Sequence, residues 1–70
     1  MKKYLIVIEE TGSGYAAYSP DLPRCVATGW TRSEVEQKIH HAMACLLQDL
    51  RQCGEVLPEP HSFPTYIELP

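Results

Sequence analysis

The sequence predicts an α+β domain built from four short strands and one long helix. Stretches of β-prone residues at about 2–10, 15–19 and 24–30 are separated by turns rich in glycine or proline. Between 31 and 53, apolar residues recur at spacings of three and four, which is typical of an amphipathic helix. A last β-prone stretch, 65–69, follows a proline-rich connector. The predicted order of elements is therefore β-β-β-α-β.

Length and composition limit the classes of protein. The 70 residues suffice for one domain, so 1–70 are expected to form a single unit. A domain this small buries only about 60% of the surface of its unfolded chain, and self-association is a common remedy. The net charge of −3 disfavours direct binding to nucleic acid and fits a basic protein partner better. With neither a secretory signal nor a long apolar run, the sequence predicts a cytoplasmic protein that does not associate with membranes.

The first predicted strand is apolar on both faces, since Tyr4, Ile6 and Ile8 share one face and Leu5 and Val7 share the other. This pattern is typical of a central strand that is covered on two sides. A right-handed crossover through the helix would place the fourth strand beside the first and parallel to it. The predicted sheet is therefore four-stranded and mixed, with the order 3-2-1-4 and the helix on one face. Because the other face would then lack a cover, we expect a homodimer or larger homo-oligomer, formed through that face or an edge strand.

The helix has clear start and stop signals. Thr31-x-x-Glu34 forms a capping box, in which the threonine accepts from a free backbone N–H at the helix start. Gly54 lies where a helix-ending residue of positive φ belongs, and Pro58 and Pro60 prevent continuation. The sequence therefore predicts a helix of about 31–53.

Candidate catalytic and metal-binding residues are few. His41 and Cys45 have the i, i+4 spacing of two zinc ligands, but the sequence offers no dependable third or fourth ligand. Cys25 follows a tight loop, yet neither a histidine nor a basic cluster lies near it in the sequence to activate a thiolate. No enzymatic activity, metal or cofactor is expected. An enzyme that uses Cys25, or a metal at His41 and Cys45, is the least favoured interpretation.

The aromatic residues are better candidates for function. Tyr15, Tyr18 and Trp30 lie on neighbouring predicted strands, and Trp and Tyr are favoured anchors at protein interfaces. Packing of aromatic pairs across the sheet explains them equally well. Asp21 is expected to stabilise the Pro20–Pro23 turn, with contact to a basic partner as the alternative.

A set of short motifs runs in order through nearly the whole chain. It comprises the Tyr4–Glu9 strand, Gly14-Tyr15 with Tyr18, Pro20-Asp21-Leu22-Pro23-Arg24-Cys25, Thr28-Gly29, Thr31-x-x-Glu34, and the helix to Gly54 followed by Pro58-x-Pro60. As a set, these motifs resemble the HicB-like antitoxin family, which often has Gly in place of Arg24. The resemblance implies a partial ribonuclease-H-like β-β-β-α-β domain.

The resemblance also implies a function. Antitoxins of this family bind a small basic HicA-type toxin, an RNA-cleaving protein with a catalytic histidine, and block its active site. The candidate contact residues in this chain are Asp21, Leu22, Trp30, Glu34 and Glu36. Many family members also carry a DNA-binding segment, whereas this chain ends at Pro70, so a stand-alone form without direct DNA binding is expected. The rival hypothesis is an orphan, self-associating regulatory or interaction module with no toxin partner.

Overall fold

A computed structural model describes residues 2–70 of the chain. Three strands form an antiparallel sheet in the order β1-β2-β3, and one helix follows them. The elements are β1 (Val7–Glu10), β2 (Tyr15–Ser19), β3 (Leu22–Gly29) and α1 (Arg32–Gln52). The domain is thus an α+β fold with fewer strands than predicted.

The predicted four-stranded mixed sheet of order 3-2-1-4 is wrong. The segment 65–69, predicted as the fourth strand, is not part of a sheet among residues 2–70, and its large side chains are exposed. Prolines at 58, 60 and 64 provide no backbone N–H for a ladder around this segment. In addition, contacts of Pro58, Glu59 and Ser62 hold the preceding connector against other parts of the domain. β1 is therefore an edge strand of the described sheet and not a central one.

β1 is also shorter than the predicted strand at 2–10. Its first residue, Val7, pairs with Tyr18 near the end of β2. In this register Ile6 would lie opposite Ser19, the last residue of β2, and residues 2–5 would lie beyond it. No fourth strand is present among the described residues to pair with their other edge. The apolar pattern of these residues therefore arises from packing against the helix and not from a central position in the sheet.

The turn between β2 and β3 is tighter than the predicted Pro20–Pro23 loop. Ser19 pairs with Leu22, so only Pro20 and Asp21 connect the two strands. Pro23 is then the second residue of β3. An edge strand tolerates a proline because the missing N–H need not serve a second neighbouring strand. As a consequence, Leu22 belongs to the sheet and not to the loop.

The ends of α1 agree with the predicted signals. The Thr31 side chain accepts from the Glu34 N–H at 3.1 Å, and the Glu34 carboxylate accepts from the Trp30 N–H at 3.2 Å. Gly54, just beyond the helix, has a φ of 74°, which favours glycine. Within residues 2–70, no helix combines the length and apolar character that crossing a membrane requires.

The core lies between α1 and the sheet, chiefly beneath β2 and β3. The buried apolar residues are Ala17, Leu22, Cys25, Val35 and Ile39. Tyr4, Ile6 and Ile8 are partly buried against this cluster, so the helix covers the face of the sheet to which they belong. The opposite face contains the cross-strand row Val7, Tyr18 and Val26, of which Val26 is 66% exposed.

Candidate protein-binding site

The strand register collects acidic and aromatic residues at one end of the sheet. Glu10 lies opposite Tyr15, and Tyr15 lies opposite Gly29, the last residue of β3. Trp30 follows directly and leads into α1, whose first turn contains Glu34. We call Glu9, Glu10, Trp30 and Glu34 the acidic-aromatic end. Glu9 and Glu10 belong to this end because β1 ends there. Their placement depends on the register of the strand pairs, which the local sequence does not show.

The Trp30 side chain is presented from a well-defined backbone. Trp30 is 74% exposed, whereas its backbone N–H donates to the Glu34 carboxylate. The backbone just before it is tightly packed, since a Cβ at Gly14 would overlap the carbonyl oxygen of Gly29. A notch of about 330 Å³ lies beside the indole and extends to Lys38. An exposed tryptophan on a fixed backbone next to a notch is a favourable anchor for a protein partner.

The carboxylates at and near this end differ in whether they already form an ion pair. Glu34 lies 3.4 Å from the Lys38 ammonium. Glu36, one turn further into the helix, pairs with Arg32 at 3.2 Å. Glu9 and Glu10 are exposed and take part in no ion pair within residues 2–70. Their negative charges are therefore free to attract a basic partner.

The predicted contact residues do not form one surface. Asp21 and Leu22 lie where β3 begins, whereas Trp30 follows its end, so an eight-residue strand of about 26 Å separates them. Leu22 is only 2% exposed because the tight turn draws it into the core. Trp30 and Glu34 belong to the acidic-aromatic end, and Glu36 borders a different surface, the groove described below.

Asp21 binds another part of the same chain. Its carboxylate accepts from the Ser62 hydroxyl at 3.1 Å and from the Ser62 N–H at 3.3 Å. Partial desolvation raises its pKa, but hydrogen bonds from the backbone of His61 and from Ser62 outweigh this effect and hold the pKa below its usual value. The Asp21 carboxylate thus anchors the C-terminal connector to the β2–β3 turn.

Acidification below about pH 4 should release this connector. The pKa of Asp21 is lowered, and that of Glu59 is lowered by its hydrogen bond and ion pair with Lys2. Each anchor is therefore fully present above the ordinary carboxyl pKa of about 4 and is lost as the pH falls through the lower folded value. The protection of the Ser62 N–H, measured as its exchange rate relative to an unfolded peptide at the same pH, should fall correspondingly. In Asp21→Ala the exchange should be fast at neutral pH too, whereas Asp49→Ala should behave as wild type. Ser62 exchange that is slow in Asp21→Ala would contradict the anchor.

The cysteines and histidines show few features of a catalytic or metal-binding site. Cys25 is 3% exposed, and burial raises its pKa despite the nearby Arg24, so its thiol is protonated at neutral pH and packs in the core. Cys45 and His41 are exposed neighbours on α1, with 3.6 Å between Sγ and Nε2. Within residues 2–70, no three His, Cys, Asp or Glu side chains converge as a metal site would require.

An apolar groove lies along the free edge of β1. Because α1 packs over β3 and β2, a space of about 1000 Å³ remains between the helix and the strand. Its apolar lining is Tyr4, Ile6, Ile8, Ile39, Met43 and Leu47. We call this space the β1 groove. It occupies the position beside the first strand that the sequence assigned to the missing fourth strand.

The fold is a small α+β domain with two surface features, the acidic-aromatic end and the β1 groove. No family model matches the chain. The chain is similar to an uncharacterised 14.9 kDa protein in the rep-hol intergenic region of Haemophilus phage HP1 (strain HP1c1). The two are 31% identical over 67 residues, which cover 96% of this chain and 50% of the phage protein. The chain thus spans about half the length of the curated relative it matches.

Proposed function

We propose that this chain is a HicB-like antitoxin, which binds a small basic RNA-cleaving toxin and blocks its activity. The observation that carries the proposal is the acidic-aromatic end. There a tryptophan that is 74% exposed lies at the same end of the sheet as Glu9 and Glu10, which are on β1 with β2 between them and have no ion pair in the described chain. The ordered motifs that resemble the HicB-like family support the same function.

The proposed inhibition is steric and electrostatic. A protein that cleaves RNA presents lysine and arginine side chains to the phosphate backbone. Glu9 and Glu10 extend from opposite faces of β1, and their carboxylates together attract that basic surface to this end of the sheet and speed association. Trp30 then packs against the partner and excludes water from the centre of the contact. RNA and the antitoxin compete for the same surface, so the antitoxin acts without chemistry of its own.

The finer parts of the proposal follow from this mechanism. The protein acts in the cytoplasm, where RNA is present, and needs neither a metal nor a cofactor. It does not bind DNA directly through residues 1–70, whose net charge of −3 is unfavourable for phosphate contacts. It forms a homodimer or larger homo-oligomer.

Capture of the partner tests the proposed function. The tagged chain is purified from its native cells, and the complex is examined by mass spectrometry and light scattering. We expect a stoichiometric, small, basic protein, encoded by a neighbouring reading frame, that cleaves RNA only after release from the complex. Recovery of the tagged chain alone, or with a partner that cleaves RNA equally well when bound, would refute the proposal.

A self-associating module without a toxin is the second candidate function. The β1 groove favours it, because an open apolar surface of this size requires a cover. The two functions use different surfaces and are therefore separable by substitution.

A further inference from the structure

The last residues of the described chain form an extended apolar arm. We call residues 63–70 the C-terminal arm. Its large apolar side chains are Phe63, Tyr66, Ile67 and Leu69, which are 84%, 95%, 79% and 83% exposed. Four such side chains in eight residues are costly to leave in water, since burying each one fully contributes about 1.5–3 kcal/mol. None of the four belongs to the apolar core of the described residues or is among the side chains packed against it.

Three anchors direct the connector across one end of the β1 groove. The Tyr4 hydroxyl donates to the Pro58 carbonyl at 2.6 Å, and Lys2 pairs with Glu59. Ser62 is then bound to Asp21 at the β2–β3 turn. The chain therefore passes the end of its own groove, near Tyr4, and does not run along β1.

The β1 groove has the properties of an acceptor for an extended segment. The outer edge of β1 has no ladder partner among residues 2–70, so its backbone groups are free to pair. Of the Lys and Arg side chains that line the groove, Lys2 pairs with Glu59 and Arg32 pairs with Glu36, so Arg51 is the one without an ion pair within residues 2–70. The only charged side chain of the C-terminal arm is acidic, Glu68.

We propose that the β1 groove of one molecule binds the C-terminal arm of a second copy, giving a dimer with reciprocal arm exchange. In an extended arm, Phe63, Ile67 and Leu69 share one face, which enters the groove, while Tyr66 and Glu68 share the other. Seven residues, 63–69, extend about 23 Å, the same length as the seven residues 4–10 that form the groove edge. Main-chain pairing with β1 and burial of the odd-numbered side chains stabilise the exchange.

A second copy fits the groove better than an unrelated protein does. The same chain provides the apolar groove, an unpaired apolar arm of matching length and the opposite charge. A two-fold dimer also satisfies both arms and both grooves at once, because each molecule gives and receives one arm.

Substitutions in the arm and in the groove test the exchange by sedimentation of the full chain over a range of concentrations. Wild type should dimerise. Ile67→Asp should weaken the dimer at least tenfold, because it places a charge in the apolar groove. Tyr66→Asp, which adds the same charge on the opposite face of the arm, should weaken it less than threefold.

The groove offers a second, independent pair of variants. Ala44 is exposed and lines the groove, so Ala44→Glu obstructs it without removing a core side chain. It should weaken the dimer at least tenfold. Cys45→Glu places the same charge about 100° further around the helix and should leave the dimer unchanged. Each variant is compared with its own control at equal protein concentration.

Mixing the two defective variants distinguishes exchange from other interfaces. Ala44→Glu retains an intact arm and Ile67→Asp an intact groove, so the mixture should form a heterodimer more readily than either variant forms a homodimer. A wild type that is monomeric at all concentrations would overturn the proposal. So would a dimer that survives both variants, or one abolished only by Val26→Lys on the open face. Trp30→Ala should leave the dimer intact, which keeps this test separate from that of toxin binding.

Discussion

Replacement of Ile39 by alanine should remove about half of the free energy of unfolding of the protein. Ile39 is 2% exposed and lies in the centre of the contact between α1 and the sheet. Truncation of a buried isoleucine to alanine costs about 2–5 kcal/mol, because transfer energy is lost and a cavity remains. A domain of this length is stabilised by only about 4–10 kcal/mol in total. Urea denaturation followed by circular dichroism measures the loss.

The chain offers a matched control for this prediction. Ile67→Ala makes the same chemical change at a side chain that is 79% exposed. At concentrations where the protein is monomeric, it should alter the free energy of unfolding by less than about 0.5 kcal/mol. Equal effects of the two substitutions would contradict the core described here.

If the proposed toxin is the partner, replacement of Trp30 by alanine should weaken its binding by about thirtyfold or more. Central tryptophans of interfaces commonly contribute 2 kcal/mol or more to binding, and each 1.4 kcal/mol corresponds to a factor of ten. Folding should be nearly unaffected, since Trp30 is 74% exposed and the contact that fixes it uses its backbone N–H. Calorimetric titration of the purified toxin measures the effect.

A second aromatic residue provides the control for Trp30. Tyr66 is 95% exposed and belongs to the C-terminal arm, far along the chain from the acidic-aromatic end. Tyr66→Ala should bind the toxin as wild type does. If Trp30→Ala bound with unchanged affinity, the toxin would have to contact another surface.

The helix could be predicted from the sequence because its determinants are local. Thr31 and Glu34 lie three residues apart, and Gly54 directly follows the last turn. The side chains that form this start and stop are therefore neighbours before any tertiary structure exists. Trp30 could be singled out for the same reason, since it immediately precedes the cap.

Whether residues 65–69 form a fourth strand could not be predicted from the local sequence pattern. Alternating apolar residues at 65–69 fit an internal strand and an exposed arm equally well. The difference depends on contacts between residues far apart in sequence, such as Asp21 with Ser62 and Tyr4 with Pro58. These contacts direct the connector past the edge of β1.

The composition of the acidic-aromatic end was also only partly predictable. Glu9 and Glu10 join Trp30 through the register of two strand pairings, which no single motif encodes. Leu22 lies in the segment Pro20-Asp21-Leu22-Pro23 and therefore resembles a loop residue in sequence. The two-residue connection makes it the first residue of β3 and buries it.

RNA cleavage by the partner toxin, titrated with this protein, tests the central claim most directly. Cleavage should fall to zero at the stoichiometric point with the wild-type chain. With Trp30→Ala the titration should become gradual, and the inhibition constant derived from it should be about thirtyfold higher. Cleavage that continues in the presence of excess wild-type protein would contradict the claim that this chain is an antitoxin.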